Sequence, residues 1–305
     1  MKIRKILSIA LAGIVMLSTL ALGSCGEEKD YPVTVGKIKI EQEPKNIVIL
    51  NKNLADIITA IGYDGKTVGR SDEVNQKSFK VVPSVGSAQD PSVDKIKKAK
   101  AEIVFADKTL CQSALDKLKE SSIPVFQPED AHTLKQLKVL YKQIGSILGG
   151  NVVGNEKAMK SYSEIKNTLK TVRTAAKRDK TVSTLAYLYI DDGAIKTVTG
   201  STWRSSMLSF TGSMNVFEKA ESDVVDPAKL VLANPDCIFV ADESVKEHLN
   251  LSDTLKKLRA LDGNTFVISY DDLGMQGYTS LDVIQEMIGD ITDADIEETS
   301  EAAAE

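Results

Sequence analysis

Short apolar runs alternate with amphipathic stretches along the first third of the chain. Residues 46–50 (NIVIL) read as a strand, and residues 53–63 (NLADIITAIGY) space their apolar positions as a helix that ends near Gly62. The order then repeats: a strand at 66–70, a helix behind Pro91, a strand at 102–106, a helix at 109–121 and a strand at 123–127. Strands separated by helices predict a parallel sheet with helices on both faces.

The period changes after His132. Leu134, Leu137, Leu140, Tyr141, Ile144, Ile147 and Leu148 recur at helical spacing, and GGNVVGN (149–155) interrupts them. A second helix starts near Asn155, with apolar positions Ala158, Tyr162, Ile165, Leu169 and Val172 and a mostly Lys, Glu, Ser and Asn opposite face. About 23 helical residues reach roughly 35 Å. So narrow an apolar stripe suits a helix that bridges two bodies while staying partly wet; the alternative is one more surface helix of a single large domain. After Arg178 the alternation resumes, with strands at 183–190, 194–200, 236–241 and 264–269 and helices at 202–212, 227–233, 243–261 and 279–291.

One strand is written twice. Lys95-Ile96 through Glu102 to Phe105 matches Lys229-Leu230 through Asp236 to Phe239 at a constant offset of 134 positions, and both runs close on Ala-Asp. Helix, acidic residue, buried strand and helix in the same order predict two similar α/β lobes. The fold expected is α/β: two Rossmann-like lobes with parallel sheets, joined by one long α-helix. The division expected is a leader over 1–24, a tether over 25–43, a lobe over 44–150, the joining helix over 151–178, a second lobe over 179–291 and an acidic tail over 292–305.

The amino terminus sets the compartment. MKIRK precedes an apolar run from Ile6 to Leu22, followed by Leu-Gly-Ser-Cys. Basic start, short apolar core and small residues before a cleavage point make a secretory signal. A Cys at 25 in that context resembles the lipoprotein box, so cleavage before Cys25 and acylation of its thiol are expected, with anchoring on the outer side of the cytoplasmic membrane. Net charge is −5, and nucleic acid is not an expected partner, because phosphate binding needs a basic face. Cys111 and Cys237 fall on a predicted helix and a predicted strand, and both are expected free and buried.

Ligands of open parallel sheets bind beyond the carboxyl ends of the strands. That places Asn51, Lys52, Asn53, Arg70, Ser71, Ser87, Gln89, Asp107 and Lys108 around one lobe's sheet. The other lobe contributes Tyr189, Asp191, Ser201, Thr202, Trp203, Arg204, Asp242 and Tyr270. Trp203 is the single Trp; it can stack on a flat ligand or pack inward on its helix. Lys52, Arg70, Lys108 and Arg204 together favour an anionic ligand. Motifs of hydrolases, zinc proteases and nucleotide binders are missing, and His132 and His248 are the only histidines. No bound metal or cofactor of the protein's own is expected, and no catalysis.

Four stretches resemble the substrate-binding proteins for ferric siderophores, cobalamin and haem. They are PKNIVILNKNLADIITAIGYDGKTVGRSDE, VPSVGSAQDPSVDKIKKAKAEIVFA, FTGSMNVF and ANPDCIFVA, in order from Pro44 onward, and the likeness extends to Ile291. The resemblance implies two lobes on a rigid helix and delivery of a small metal chelate to an ABC permease by a monomeric protein. The ligand expected first is a ferric siderophore, then haem with Tyr270, Tyr278, Met275 or His132 as axial ligand, then a corrinoid. The family docks on its permease through one acid per lobe. The first falls on Asp94; the second falls on Ala228, with Asp226 or Asp223 nearby. Two other readings remain: an enzyme like the class II metal chelatases, disfavoured because no histidine follows a strand facing the ligand cleft expected between the two lobes, and a surface lipoprotein that does not serve transport.

Overall fold

The strand written twice occupies the same place in two separate sheets. The structure, a computed structural model, describes residues 30–179 and 184–293; the leader, Cys25 and the tail from residue 294 lie outside the described residues. Contacts along the chain separate two units, one holding 30–166 and 275–279, the other 167–274 and 280–293.

In the first unit, β1 (Val33–Val35) and β2 (Ile38–Ile40) pair as an antiparallel hairpin. These residues, expected to belong to the tether, are thus folded, with Val33 and Ile40 buried. The main sheet has β3 (Ile47–Ile49), β4 (Thr67–Arg70), β5 (Ile103–Phe105) and β6 (Val125–Phe126) in the order β4-β3-β5-β6, all parallel. Every residue of β3 and β5 is buried, as a sheet covered on both faces requires. Val48, Leu50, Val104 and Ala106 alternate onto one face. They meet Ile96 of α2 (Val93–Lys98) and Ala114 and Leu118 of α3 (Gln112–Glu120). Burying each large aliphatic side chain there stabilises the unit by about 1.5–3 kcal/mol. The helix that follows β3 is α1 (Lys52–Ile61), closed by Gly62 in the left-handed region.

The second unit carries β7 (Thr184–Asp191), β8 (Ala194–Thr197), β9 (Met214–Asn215), β10 (Cys237–Val240) and β11 (Thr265–Val267). β10 lies parallel between β7 and β11, and β9 runs parallel beside β7. β8 is the one antiparallel member, turned back by Asp192 and Gly193, both at positive φ, the geometry of a two-residue hairpin loop. Without β8 the order β9-β7-β10-β11 repeats β4-β3-β5-β6. Its helices are α6 (Trp203–Phe210), α7 (Pro227–Ala233), α8 (Glu243–Leu251), α9 (Tyr270–Leu273) and α10 (Thr279–Asp293).

The duplicated acid before the buried strand does the same work in both sheets. The Glu102 carboxylate accepts the backbone N–H groups of Lys45 and Asn46, just ahead of β3. The Asp236 carboxylate accepts the backbone N–H and hydroxyl of Thr184 at the start of β7, both at 2.8 Å. Each ties its strand to the next in register. Beyond the strand, Asp107 accepts the Thr109 N–H at 2.8 Å, and Asp242 accepts those of Ser244 and Val245 and so caps α8. β10 has four residues where β5 has three, which shifts the Ala-Asp pair by one position.

The predicted long stripe is present. α4 (Leu134–Gly149) leads through a wide turn at Gly150–Gly154 into α5 (Asn155–Asp179). Ala158, Tyr162, Ile165, Leu169 and Val172 are all buried, and the boundary between the units falls inside α5, after Lys166. The turn depends on close backbone approach: a Cβ on Gly154 would sit 2.0 Å from the Gly145 carbonyl oxygen. Asp30 accepts the N–H groups of Val152 and Val153 at 2.7 and 3.2 Å, satisfying donors that the turn leaves open.

Candidate functional site

At the strand ends of the first unit, most polar side chains named from the sequence hold the backbone. Asn51 caps α1 by accepting the Leu54 N–H at 2.9 Å, and its amide donates to Asp107 at 2.7 Å, joining the loops after β3 and β5. Arg70 is turned onto its own loop: Nε donates to the carbonyls of Phe79 and Val82, and Nη1 to that of Ser71. Ser71 donates to the Leu50 carbonyl, and Ser87 accepts the Asp90 N–H. Lys108 is ion-paired with the exposed Glu129. Lys52 opens α1, half-buried, and its carbonyl accepts the Gln76 amide. The guanidinium and ammonium expected to attract an anion at Arg70 and Lys108 therefore have partners within the unit.

Asn53 donates at 2.9 Å to Gln276, far along the chain. Gln276 belongs to Met275–Thr279, a segment that ends where the last helix begins and that is seated in the first unit. Its fastening is the buried Asp56 of α1. That carboxylate accepts the Gly277 N–H at 2.6 Å, the Thr279 hydroxyl at 2.8 Å and the Thr279 N–H at 3.3 Å. Tyr141 adds a hydroxyl to the Gln276 carbonyl at 2.8 Å. A Cβ on Gly277 would come within 2.5 Å of Asp56, so only glycine fits there. Met275 is buried, and Tyr278 donates to Glu164. His132 stands ahead of α4, where Gln136 accepts its N–H and Thr133 accepts that of Gln136. This is a near relative of the capping box, with the Gln136 side chain reaching the backbone N–H one residue ahead of the cap.

The second unit brings three of the named residues onto one spot. Tyr189 lies near the carboxyl end of β7, Tyr270 opens α9 just past β11, and Arg204 sits in the first turn of α6. The Arg204 guanidinium stacks 3.8 Å above the Tyr270 ring, and its Nε donates to the Tyr270 carbonyl at 2.9 Å. The rings of Tyr189 and Tyr270 are 4.5 Å apart between centroids, and Tyr187 lies behind them at 6.3 Å. All of Tyr189, Tyr270 and Arg204 stay partly exposed. Gly274 makes room for the arginine, because a Cβ there would stand 2.6 Å from Nη2. Tyr189 donates to Asp223 at 3.4 Å, while Lys196 of β8 pairs with Asp191 at 2.7 Å and lies 3.8 Å from Asp223. Burial holds the Tyr189 phenol well above its ordinary pKa, reinforced by Tyr270 and by the charge of Asp223.

Trp203 is at the first position of α6 but points inward. It is 4% exposed and its ring lies against Phe210. It fills the core of the second unit and is no open stacking platform. Asp242 is a helix cap, with its carboxyl held below the usual range by the Ser244 hydroxyl. Asp94 is exposed in the first turn of α2, and Ala228 is exposed in the first turn of α7. Both described cysteines are free; Cys237 is buried, whereas Cys111 stands at the position before α3, partly buried against the first unit's core with Asp90 and Ser113 beside its sulfur. Asp56, Gln276, Gly274 and Lys196 were not singled out from the sequence. The partners of the first three lie far off in the chain, and Lys196, paired with Asp191 five residues away, reads as an ordinary charge on a short strand.

Comparison with known proteins gives a consistent picture. A family model described as "Periplasmic binding protein" matches residues 47–272. The lipoprotein YvrC of Bacillus subtilis, described as an uncharacterized ABC transporter substrate-binding lipoprotein, is 24% identical over 250 residues, 74% of this chain and 78% of YvrC. A possible iron-binding (periplasmic solute-binding) protein from Staphylococcus epidermidis superposes with a TM-score of 0.71 at 17% identity, covering 82% of this chain and 99% of the other. The periplasmic haem-binding protein HutB of Vibrio cholerae does so with a TM-score of 0.70 at 19% identity, covering 80% and 97%. At these identities the structural likeness concerns the fold.

Proposed function

Because this chain belongs to the periplasmic binding protein family, we propose that it is the substrate-binding lipoprotein of an ABC importer and that its cargo is an iron chelate. The observation that carries the reading is the Tyr189–Tyr270–Arg204 cluster, which sits where open α/β sheets receive ligands. Two phenols and a stacked guanidinium offer aromatic surface together with a cation, a combination suited to a flat or aryl-bearing anionic chelate. A ferric siderophore is the first ligand of choice, haem the next and a corrinoid the third. The relatives support this class, since those named above are described as an ABC substrate-binding lipoprotein, a possible iron-binding protein and a haem-binding protein. The protein binds and releases without chemistry, works as a monomer, and is held outside the cell membrane through acylated Cys25. Asp94 docks it on the permease, and Ala228 leaves the second lobe without the family's salt bridge.

The test uses the mature chain without its lipid. Trp203, the sole Trp, shares α6 with Arg204 and reports on that helix. Titration with ferric siderophores, haemin and cobalamin should give a saturable fluorescence change for at least one iron chelate. Should all three classes leave the emission unchanged, the reading is wrong. Acylation is checked separately, by the mass of the amino-terminal peptide from membrane-extracted protein.

A further inference from the structure

The chain enters the first unit beside a turn that exposes two consecutive valines. Asp30 is fastened to the wide turn between α4 and α5: its carbonyl accepts the Asn151 N–H at 3.1 Å, and its carboxylate accepts those of Val152 and Val153. Tyr31 adds its hydroxyl, which donates to the Ile147 carbonyl near the end of α4 at 3.0 Å. The approach is close, for a Cβ on Gly150 would lie 2.5 Å from the Asp30 side chain. Val152 and Val153 meanwhile leave their side chains 41% and 48% exposed. We propose that this turn rests in the headgroup–acyl boundary of the lipid bilayer and gives the anchored protein a second point of contact with its membrane.

The length of chain ahead of Asp30 names the occupant. Cys25, the acylation site of the proposed function, precedes Asp30 by five residues, which reach at most about 18 Å when fully extended. A lipid on Cys25 therefore keeps the bilayer surface within that distance of the turn. The backbone there is already prepared to leave water. Asp30 supplies the acceptors for the Asn151, Val152 and Val153 N–H groups, so sinking the valines strands none of these donors. Single exposed valines are ordinary on a protein surface. Two in succession, where the lipid-bearing end of the chain arrives, are placed for the boundary into which apolar faces sink by about 5–10 Å. Lys157, in the first turn of α5, is exposed and stands 4.8 Å from the centre of the Tyr63 ring. Its long stem lets the ammonium reach a lipid phosphate, while Glu156 beside it is exposed and stays in water. The acyl chains supply the affinity, and the turn supplies the orientation of the first unit. The inference rests on acylation of Cys25 and goes beyond it.

The test places the acylated mature chain in vesicles of phosphatidylglycerol and phosphatidylethanolamine whose acyl chains carry bromine, a contact quencher. Cys111→Ser removes the partly exposed thiol, and a bimane label is attached through Val153→Cys or, as the control, through Lys119→Cys on the exposed side of α3. The label at 153 should be quenched at least about threefold more than the label at 119. In the chain labelled at 153, Val152→Ser should reduce the quenching and Val152→Leu should keep it. Asp30→Ala, which unfastens the turn from the incoming chain, should reduce it as well. Circular dichroism identifies any variant that fails to fold, and the comparison of the two labels then decides alone. Equal quenching at 153 and 119, or quenching at 153 untouched by Val152→Ser, overturns the contact. The mass of the amino-terminal peptide separates the two claims. An acylated chain with equal quenching loses the contact and keeps the anchor, whereas an unacylated Cys25 removes the anchor and this inference with it.

Discussion

Removing the Asp56 carboxylate is the sharpest test of how the first unit is held together. Asp56→Ala deprives the Gly277 N–H, the Thr279 hydroxyl and the Thr279 N–H of their acceptor at once. The first is fully buried, and the last is long enough to count for little. Leaving a buried donor unsatisfied costs about 1–3 kcal/mol each. The buried Gly277 bond, the part-buried Thr279 hydroxyl bond and the small cavity together place the loss at about 2–4 kcal/mol. At roughly 2–4 °C per kcal/mol for a chain of this size, the melting temperature should fall by about 10 °C. Asp56→Asn retains one acceptor oxygen but aims an amide at a donor, so it should lose about half as much. Amide exchange of Gly277 and Thr279, followed by mass spectrometry, should accelerate in both variants before global unfolding does. Thr279→Val should cost clearly less on the Asp56→Ala background than alone, since the two share one interaction. If Asp56→Ala melted within about 1 °C of wild type, the segment 275–279 would not be fastened as described.

Other changes follow from the same geometry. Gly154→Ala drives a methyl group into the Gly145 carbonyl and should lower stability by about 1–3 kcal/mol, measured by thermal melting. Glu43 is held down to about pKa 2 by hydrogen bonds from Lys66 and Lys45. A depressed carboxyl stabilises above its unfolded value and loses that contribution as pH falls through the folded one. The stability gap between wild type and Glu43→Gln should therefore be full at neutral pH, shrink between about pH 4.5 and 2, and close below; because Glu43 is 41% exposed, the gap should not exceed about 1 kcal/mol. Iodoacetamide should alkylate half-exposed Cys111 and spare Cys237, which is buried with its thiol pushed far up by desolvation. Peptide mass mapping checks the order.

Elements governed by local period were legible in the sequence, while side-chain partners were not. Strands β3, β5, β7 and β10 and the stripe on α5 declare themselves because burial imposes a fixed spacing of apolar residues. The duplicated run could be matched by eye because each copy must cap a neighbouring strand with an acid at the same place. Charge patterning told less. Arg70 and Lys108 looked alike as exposed cations, yet one serves three backbone carbonyls and the other a glutamate. Nothing in their neighbours along the chain distinguishes the two. Trp203 is compatible from the sequence with facing ligand or core, since the first position of a helix allows both. Tyr189, Arg204 and Tyr270 were each placed at a strand end by the general rule. Their meeting on one ring depends on the order of β7, β10 and β11, which a sequence does not spell out. The sequence marks Asp223 only through its place near Ala228, and nothing in it announces the contact with Tyr189. Asp56 resembled any polar position of an amphipathic helix, because its partners are more than two hundred residues away.

The account turns on where the cargo sits. A crystal structure of the mature chain loaded with the iron chelate that binds best should show the ligand in contact with Tyr189, Tyr270 and Arg204, and Arg204→Ala should lower the affinity for that chelate about tenfold, the loss expected when a charge-assisted hydrogen bond to an anionic ligand is removed. A ligand seated elsewhere, with those three side chains unmoved and Arg204→Ala binding as tightly as wild type, would contradict it.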